Sequence, residues 1–157
     1  MTQTPISITL HSPQDTADFA RNLGRGLGAG DTLLLQGPIG SGKTHFARSL
    51  IQSLMDVPED VPSPTFTLVQ AYDTQDAEIW HCDLYRLTAV EEVEELGLID
   101  AFDSALCLVE WPDKLGPLTP PAALTVRFQI DPDLMDTRRL TLSWSDPKWS
   151  QKLEIAA

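Results

Sequence analysis

Eight residues, Gly37-Pro38-Ile39-Gly40-Ser41-Gly42-Lys43-Thr44, meet the spacing G-x-x-x-x-G-K-[ST] and carry the chemistry of a phosphate cradle. Successive backbone N–H groups can curl around a β-phosphate where glycine permits the unusual dihedrals and the close approach, here at Gly37, Gly40 and Gly42. Lys43 adds a mobile cation, and the Thr44 hydroxyl is placed to ligate Mg²⁺. A helix over residues 43–55 would aim the positive end of its dipole at the same phosphates. The expected ligand is a nucleoside triphosphate with Mg²⁺; the bland alternative is a glycine-rich turn between a strand and a helix.

Such a metal site needs a second, carboxylate-bearing strand, and Leu106-Cys107-Leu108-Val109-Glu110 has that form. Glu110 would hold the metal through water or orient an attacking water, although an acid at a strand end is often only solvent-facing. Ser63-Pro64-Thr65 lies in the connection where nucleotide switches carry a threonine that meets metal and γ-phosphate; ordinary turn chemistry explains it equally well. In His81-Cys82-Asp83-Leu84-Tyr85-Arg86, the imidazole and the carboxylate stand two apart and share one face of a strand. Arg86 has an alternative use as a structural partner of Asp83. The run Glu91, Glu92, Glu94 and Glu95 reads as a solvated helix face.

The elements that must position these groups are marked by periodicity and by breakers. Residues 6–10 alternate like an edge strand, and Ser12 before Pro13 reads as the N-cap of a helix that ends among Gly24, Gly26, Gly28 and Gly30. That glycine cluster precedes a strand and does not fit G-x-G-x-x-G, so it is a helix terminus and not a dinucleotide fingerprint. Residues 31–36 form the strand feeding the loop. Residues 56–64 are a Pro-rich acidic connection, and 66–72 with 78–83 form a hairpin around Asp73-Thr74-Gln75-Asp76. Thr88-Ala89-Val90-Glu91 matches a capping box, with Thr88 as N-cap, Glu91 reaching back and Gly97 stopping the helix. Residues 105–109 are an apolar strand; 123–130 and 138–144 suggest antiparallel pairing at one edge of a mixed sheet. The tail from residue 146 is weakly structured or a short helix.

With 157 residues the chain suits one domain over 1–157, tail 146–157 included. Eleven basic against 23 acidic residues give a net charge of −12, which argues against an autonomous nucleic-acid binder. Cys82 and Cys107 form no C-x-x-C pair and read as reduced core thiols. The first ten residues have neither a basic nor a long apolar region, and no run approaches membrane-spanning length. A cytoplasmic chain with no membrane association, monomeric or weakly oligomeric alone, is the expectation.

Gly37 to Thr44, then Ser63-Pro64-Thr65-Phe66-Thr67-Leu68, His81-x-Asp83-Leu84-Tyr85-Arg86-Leu87, Glu95-Leu96-Gly97 and Val109-Glu110-Trp111-Pro112, resemble the TsaE family in order and spacing over roughly residues 5–145. The resemblance implies an α/β, P-loop NTPase-like three-layer fold: a mixed, mostly parallel sheet with helices on both faces and antiparallel edge strands. It implies an ATPase with ATP and Mg²⁺ as cofactors, required for N6-threonylcarbamoyladenosine at position 37 of tRNAs that decode codons beginning with A. The family acts with the TsaB–TsaD pair, and its ATP hydrolysis resets that complex, so tRNA is met only indirectly. By the same resemblance Lys43 and the loop, Gly37, Gly40, Ser41, Gly42 and His45 included, hold the phosphates; Thr44, Glu110 and Asp83 hold Mg²⁺; and Thr65 and Asp83 lie near the γ-phosphate. Lys43, Asp83, Glu110 and Thr65 are thus the catalytic set. Trp111 resembles the family's tryptophan beside the site, Arg138 its nucleotide-contacting arginine, and Ser12 marks the helix start approached by the base. The chain departs from the pattern at His45, where the family commonly has Thr, and at Pro38 and Ser41.

Two other readings compete. A P-loop small-molecule kinase would carry arginines on a lid, yet acid dominates between Thr88 and Leu106. An ATP-sensing interaction module without an enzymatic role is the other. A GTPase is disfavoured because Asn22 is the only asparagine, so N-K-x-D cannot exist, although Asp113 to Gly116 matches D-x-x-G.

Overall fold

A computed structural model describes residues 5–156; residues 1–4 and 157, which the domain expectation includes, lie outside it. One seven-stranded sheet runs in the order β1-β7-β6-β2-β5-β4-β3. The strands are β1 (Ile6–Leu10), β2 (Thr32–Gln36), β3 (Val69–Asp73), β4 (Glu78–Asp83), β5 (Leu106–Glu110), β6 (Leu124–Ile130) and β7 (Arg138–Ser143). Strands β6, β2, β5 and β4 are mutually parallel; at one margin β7 pairs antiparallel with both β6 and β1, so that β1 again follows the central direction, and at the other β3 pairs antiparallel with β4. The parallel part is therefore the centre of the sheet, and the antiparallel pairings lie at both margins, as the short connection before 138–144 and the hairpin ending in 78–83 predict.

The apolar runs dictate two cores. In β2, Leu33 and Leu35 enter one core while Leu34 enters the other, and β5 divides Leu106 and Leu108 from Cys107 and Val109 in the same way. The first core is closed by α1 (Pro13–Gly24), α2 (Lys43–Leu54) and α5 (Lys148–Ala156) through Leu23, Phe46, Leu50 and Trp149. The second is closed by α3 (Glu91–Glu95), α4 (Leu98–Ser104) and a 3₁₀ stretch over Pro112–Leu118, through Val93, Leu98 and Leu115. Cys82 and Cys107 are buried free thiols; burial drives both up, Cys107 to about 12, which makes them inert side chains.

Several local expectations shift. Residues 66–68 are not strand: the Leu68 N–H donates to the Pro64 carbonyl at 2.7 Å, and Leu68 takes φ 68°, which turns the chain before β3. The capping carboxylate is Glu92 and not Glu91, since Glu92 Oε1 accepts from the Thr88 N–H, the Thr88 hydroxyl and the Ala89 N–H. Gly97, at φ 79°, ends α3 and at once opens α4, a helix the sequence reading lacks. The tail is a packed helix, with Trp149 fully buried and its indole N–H on the Ala122 carbonyl at 2.7 Å.

The tail is also fastened electrostatically. Buried Asp31, just before β2, takes the ammonium groups of Lys148 and Lys152, each at 2.9 Å, and the Gly28 N–H at 2.9 Å. Burial pushes the Asp31 carboxyl up, but both lysines and the amide together hold it below the usual aspartate value. A depressed carboxyl stabilises the fold above the unfolded-state pKa and loses that contribution as pH falls through the folded value. Asp31→Asn is expected to cost about 2 kcal/mol at pH 7. In urea unfolding at a series of pH values, the gap from wild type should close below about pH 4; a gap independent of pH refutes this role.

Candidate functional site

The strand-to-helix connection between β2 and α2 is the phosphate loop, and it forms one wall of a cleft of about 410 Å³ at the C-terminal ends of β2, β5 and β4. Gly37, Gly40 and Gly42 have φ values of 149°, 80° and 103°, as the spacing requires. Gly42 stands at the N-cap of α2 with no side-chain cap, so the first N–H groups of that helix remain available to an anion. Ser41 is buried and its hydroxyl has no hydrogen-bond partner among the described residues.

Lys43 is folded back over the loop. Its ammonium donates to the Gly37 carbonyl and, at 3.5 Å, to that of Pro38, and it lies 3.6 Å from the centroid of the Trp111 ring. Burial lowers the Lys43 pKa below the usual lysine value, and the Glu110, Asp83 and Asp113 carboxylates pull it back up. Trp111 is held at φ 58°, a conformation costing about 1–3 kcal/mol for a non-glycine residue. Its indole packs against the Tyr85 ring, with a centroid 4.9 Å away, and against the Lys43 cation.

Register brings the acids level with the loop. Glu110 pairs with Leu35 on one side and Asp83 on the other, on the face of the sheet that carries Leu106 and Leu108 and meets α2. The Thr44 hydroxyl donates to Glu110 Oε1 at 2.8 Å, and buried His81 meets Glu110 Oε2 at 2.7 Å. Asp83 Oδ2 accepts from the Thr65 hydroxyl at 3.1 Å, Thr65 and Ser63 share a bond of 2.7 Å, and the Tyr85 N–H caps Asp83 Oδ1 at 3.0 Å. The Ser63-Pro64-Thr65 turn thus delivers its second hydroxyl to the acid on β4.

Of the sequence-derived site residues, the cleft gathers Gly40, Ser41, Gly42, Lys43, Thr44, His45, Thr65, Asp83, Glu110 and Trp111. Gly37 is tied to it through Lys43. His45 is bonded to the Pro13 carbonyl at 2.9 Å. Ser12 does not line the cleft: its hydroxyl accepts from the Asp15 N–H at 3.0 Å as the cap of α1. Arg138 donates to the Ser41 and Gly40 carbonyls at 3.1 and 3.4 Å and so braces the loop, and it is not among the residues that line the cleft. Arg86 does not pair with Asp83; its guanidinium covers the exposed Phe66 ring at 4.5 Å. Sequence reasoning did not single out Ile39 and Tyr85, which line the cleft, and did not connect His81 with Glu110.

These residues fit the groups that the loop implies. Backbone amides at an uncapped helix start and one buried ammonium suit phosphate oxygens, while a hydroxyl with two carboxylates suits Mg²⁺, a hard cation that keeps waters and phosphate ligands. Among the described residues no cluster of three or more His, Cys, Asp or Glu could hold a metal alone. Nor is any described helix long and apolar enough to cross a membrane.

A family model described as threonylcarbamoyl adenosine biosynthesis protein TsaE matches residues 10–140. Proteins named tRNA threonylcarbamoyladenosine biosynthesis protein TsaE are similar in sequence. That of Rickettsia bellii is 38% identical over 131 residues, 83% of this chain and 89% of its own length. That of Bacillus subtilis is 32% identical over 133 residues, 84% and 81% of the two chains. The crystal structure of Bacillus subtilis YdiB superposes with a TM-score of 0.79 over 99% of this chain and 95% of that one, at 23% identity, which shows a shared fold. Motif order, loop geometry and these likenesses agree: the chain belongs to the TsaE family.

Proposed function

We propose that this protein is a Mg²⁺-dependent ATPase of N6-threonylcarbamoyladenosine biosynthesis, required for the modification at position 37 of tRNAs reading codons that begin with A. In this reading it acts with the TsaB–TsaD complex in the cytoplasm, by binding and hydrolysing ATP, and meets tRNA only through that complex. The observation that carries the reading is the 2.8 Å bond from the Thr44 hydroxyl to Glu110, which couples the loop helix to a strand carboxylate. Lys43 and the loop amides would hold the phosphates, and Thr44, Glu110 and Asp83 would hold Mg²⁺. When bound, the cation supplies charge neutralisation at the phosphates. Thr65 and Asp83 orient the attacking water, and Trp111 with Tyr85 shields that side of the cleft from solvent. The names of the relatives support the pathway.

The test is Mg²⁺-dependent ATP hydrolysis with and without TsaB–TsaD, with GTP as control and modified tRNA followed in the same tubes. Partner-stimulated, ATP-selective turnover with sustained modification is expected. Glu110→Ala should keep part of the nucleotide affinity but lose hydrolysis by about 100-fold or more; normal hydrolysis by that variant with partners present refutes the metal-site assignment. Phosphate transfer to a small acceptor would favour a kinase instead. The acidic helices α3 and α4, which contain no arginine, speak against a kinase lid.

A further inference from the structure

His81 lies on β4 one alternation below Asp83, completely buried and opposite Leu108 in the parallel register. Its Nε2 is 2.7 Å from Glu110 Oε2, while the other oxygen of that carboxylate takes the Thr44 hydroxyl. Its Nδ1 has no hydrogen-bond partner among the described residues. A carboxylate oxygen accepts, so the ring donates to it from Nε2. Aliphatic neighbours such as Leu106 and Leu108 fill this layer without stranding a buried nitrogen. The imidazole therefore contributes one thing that packing does not: a directed donor beneath Glu110.

We propose that His81, donating from Nε2, is a positioning residue that fixes the rotation of the Glu110 carboxylate, so that Oε1 addresses Thr44 and the remaining lone pairs address the metal side of the cleft. Hydrogen-bonded partners behind a metal-binding carboxylate orient it in this way. The inference rests on the proposed reading of Glu110 as a metal-side group. What it requires is a donor at one place, not a charge.

Two measurements on the full chain test it. Long-range ¹H–¹⁵N NMR of the histidine rings, with His81→Gln used for assignment, should show a proton on Nε2 of His81; a ring protonated on Nδ1 alone overturns the proposal without reference to nucleotide. Affinity for a fluorescent ATP analogue is then compared in Mg²⁺ and in chelator. His81→Leu should lose about 10- to 100-fold of the Mg²⁺-dependent gain in affinity. Its affinity in chelator should stay within about twofold of wild type. His81→Gln, whose amide nitrogen reaches the Nε2 position, should restore most of the gain. Leu behaving as wild type, or Gln as poorly as Leu, overturns the positioning role. Should Glu110→Gln keep its full Mg²⁺ dependence, the underlying metal-site reading fails, and the tautomer measurement still judges the His81 contact by itself.

Discussion

Lys43→Ala is expected to weaken nucleotide binding by roughly 100-fold or more, about 3 kcal/mol, because it removes the single buried cation of the cleft. The ammonium already lies against two loop carbonyls and the Trp111 ring, so its reach to a phosphate is short and its solvation is provided by the protein. The same burial makes the cation expensive to keep, as its lowered pKa shows. Alanine therefore relieves one cost while losing those contacts, and the unfolding midpoint should move little. Equilibrium binding of a fluorescent ATP analogue, measured beside urea unfolding of the same variant, separates the two effects. Retained affinity, or lost affinity that merely tracks lost stability, would contradict the role given to Lys43.

Gly37→Ala should damage the fold itself. A Cβ there would stand 2.8 Å from the Phe128 carbonyl oxygen, 2.8 Å from the Ser41 hydroxyl oxygen and 3.0 Å from the Phe128 Cβ, at a φ of 149° that suits glycine. The Phe128 backbone belongs to β6 in the middle of the sheet and cannot step aside without disturbing its pairing with β7. A loss of about 3 kcal/mol or more is expected, lowering the melting temperature by roughly 10 °C. Gly40→Ala provides the contrast, since nothing lies within 4 Å of its added Cβ and only the φ of 80° resists, at about 1–2 kcal/mol. Equal melting temperatures for these two variants would show that contact with β6 is not what demands glycine at position 37.

The parts of the site that were legible in the sequence are those whose geometry is local. The loop glycines, Lys43 and Thr44 lie within one turn and one helix start, so their spacing alone specifies their arrangement. Glu110 was legible as the end of an apolar strand and as the companion of Thr44, 66 residues away, at a metal site, but its contact with His81, 29 residues away, was not. Only the register of β4 against β5 and of β5 against β2 brings them together, and neither register is written in a single strand. Arg138 illustrates the same limit, meeting the Ser41 carbonyl of the loop across 97 residues. The capping shift from Glu91 to Glu92 is a local one, since the Glu92 carboxylate takes both the Thr88 and the Ala89 amides. The helix α4 was hidden by Gly97, whose left-handed turn separates two helices as readily as it ends one.

The row Leu35, Glu110 and Asp83 crosses three adjacent parallel strands, and the Leu84 N–H continues it by donating to the Glu110 carbonyl. Both acids of the cleft are therefore anchored in the backbone ladder of the central sheet, where opening any one pairing means breaching both hydrophobic cores. Thr65 hangs instead on a turn whose side-chain bonds run only to Ser63 and Asp83. The cleft is in consequence mechanically lopsided, a stiff floor under a compliant wall. Fluctuations that part Thr65 from Asp83 cost only local bonds, whereas displacing Glu110 costs the cooperative unit as a whole.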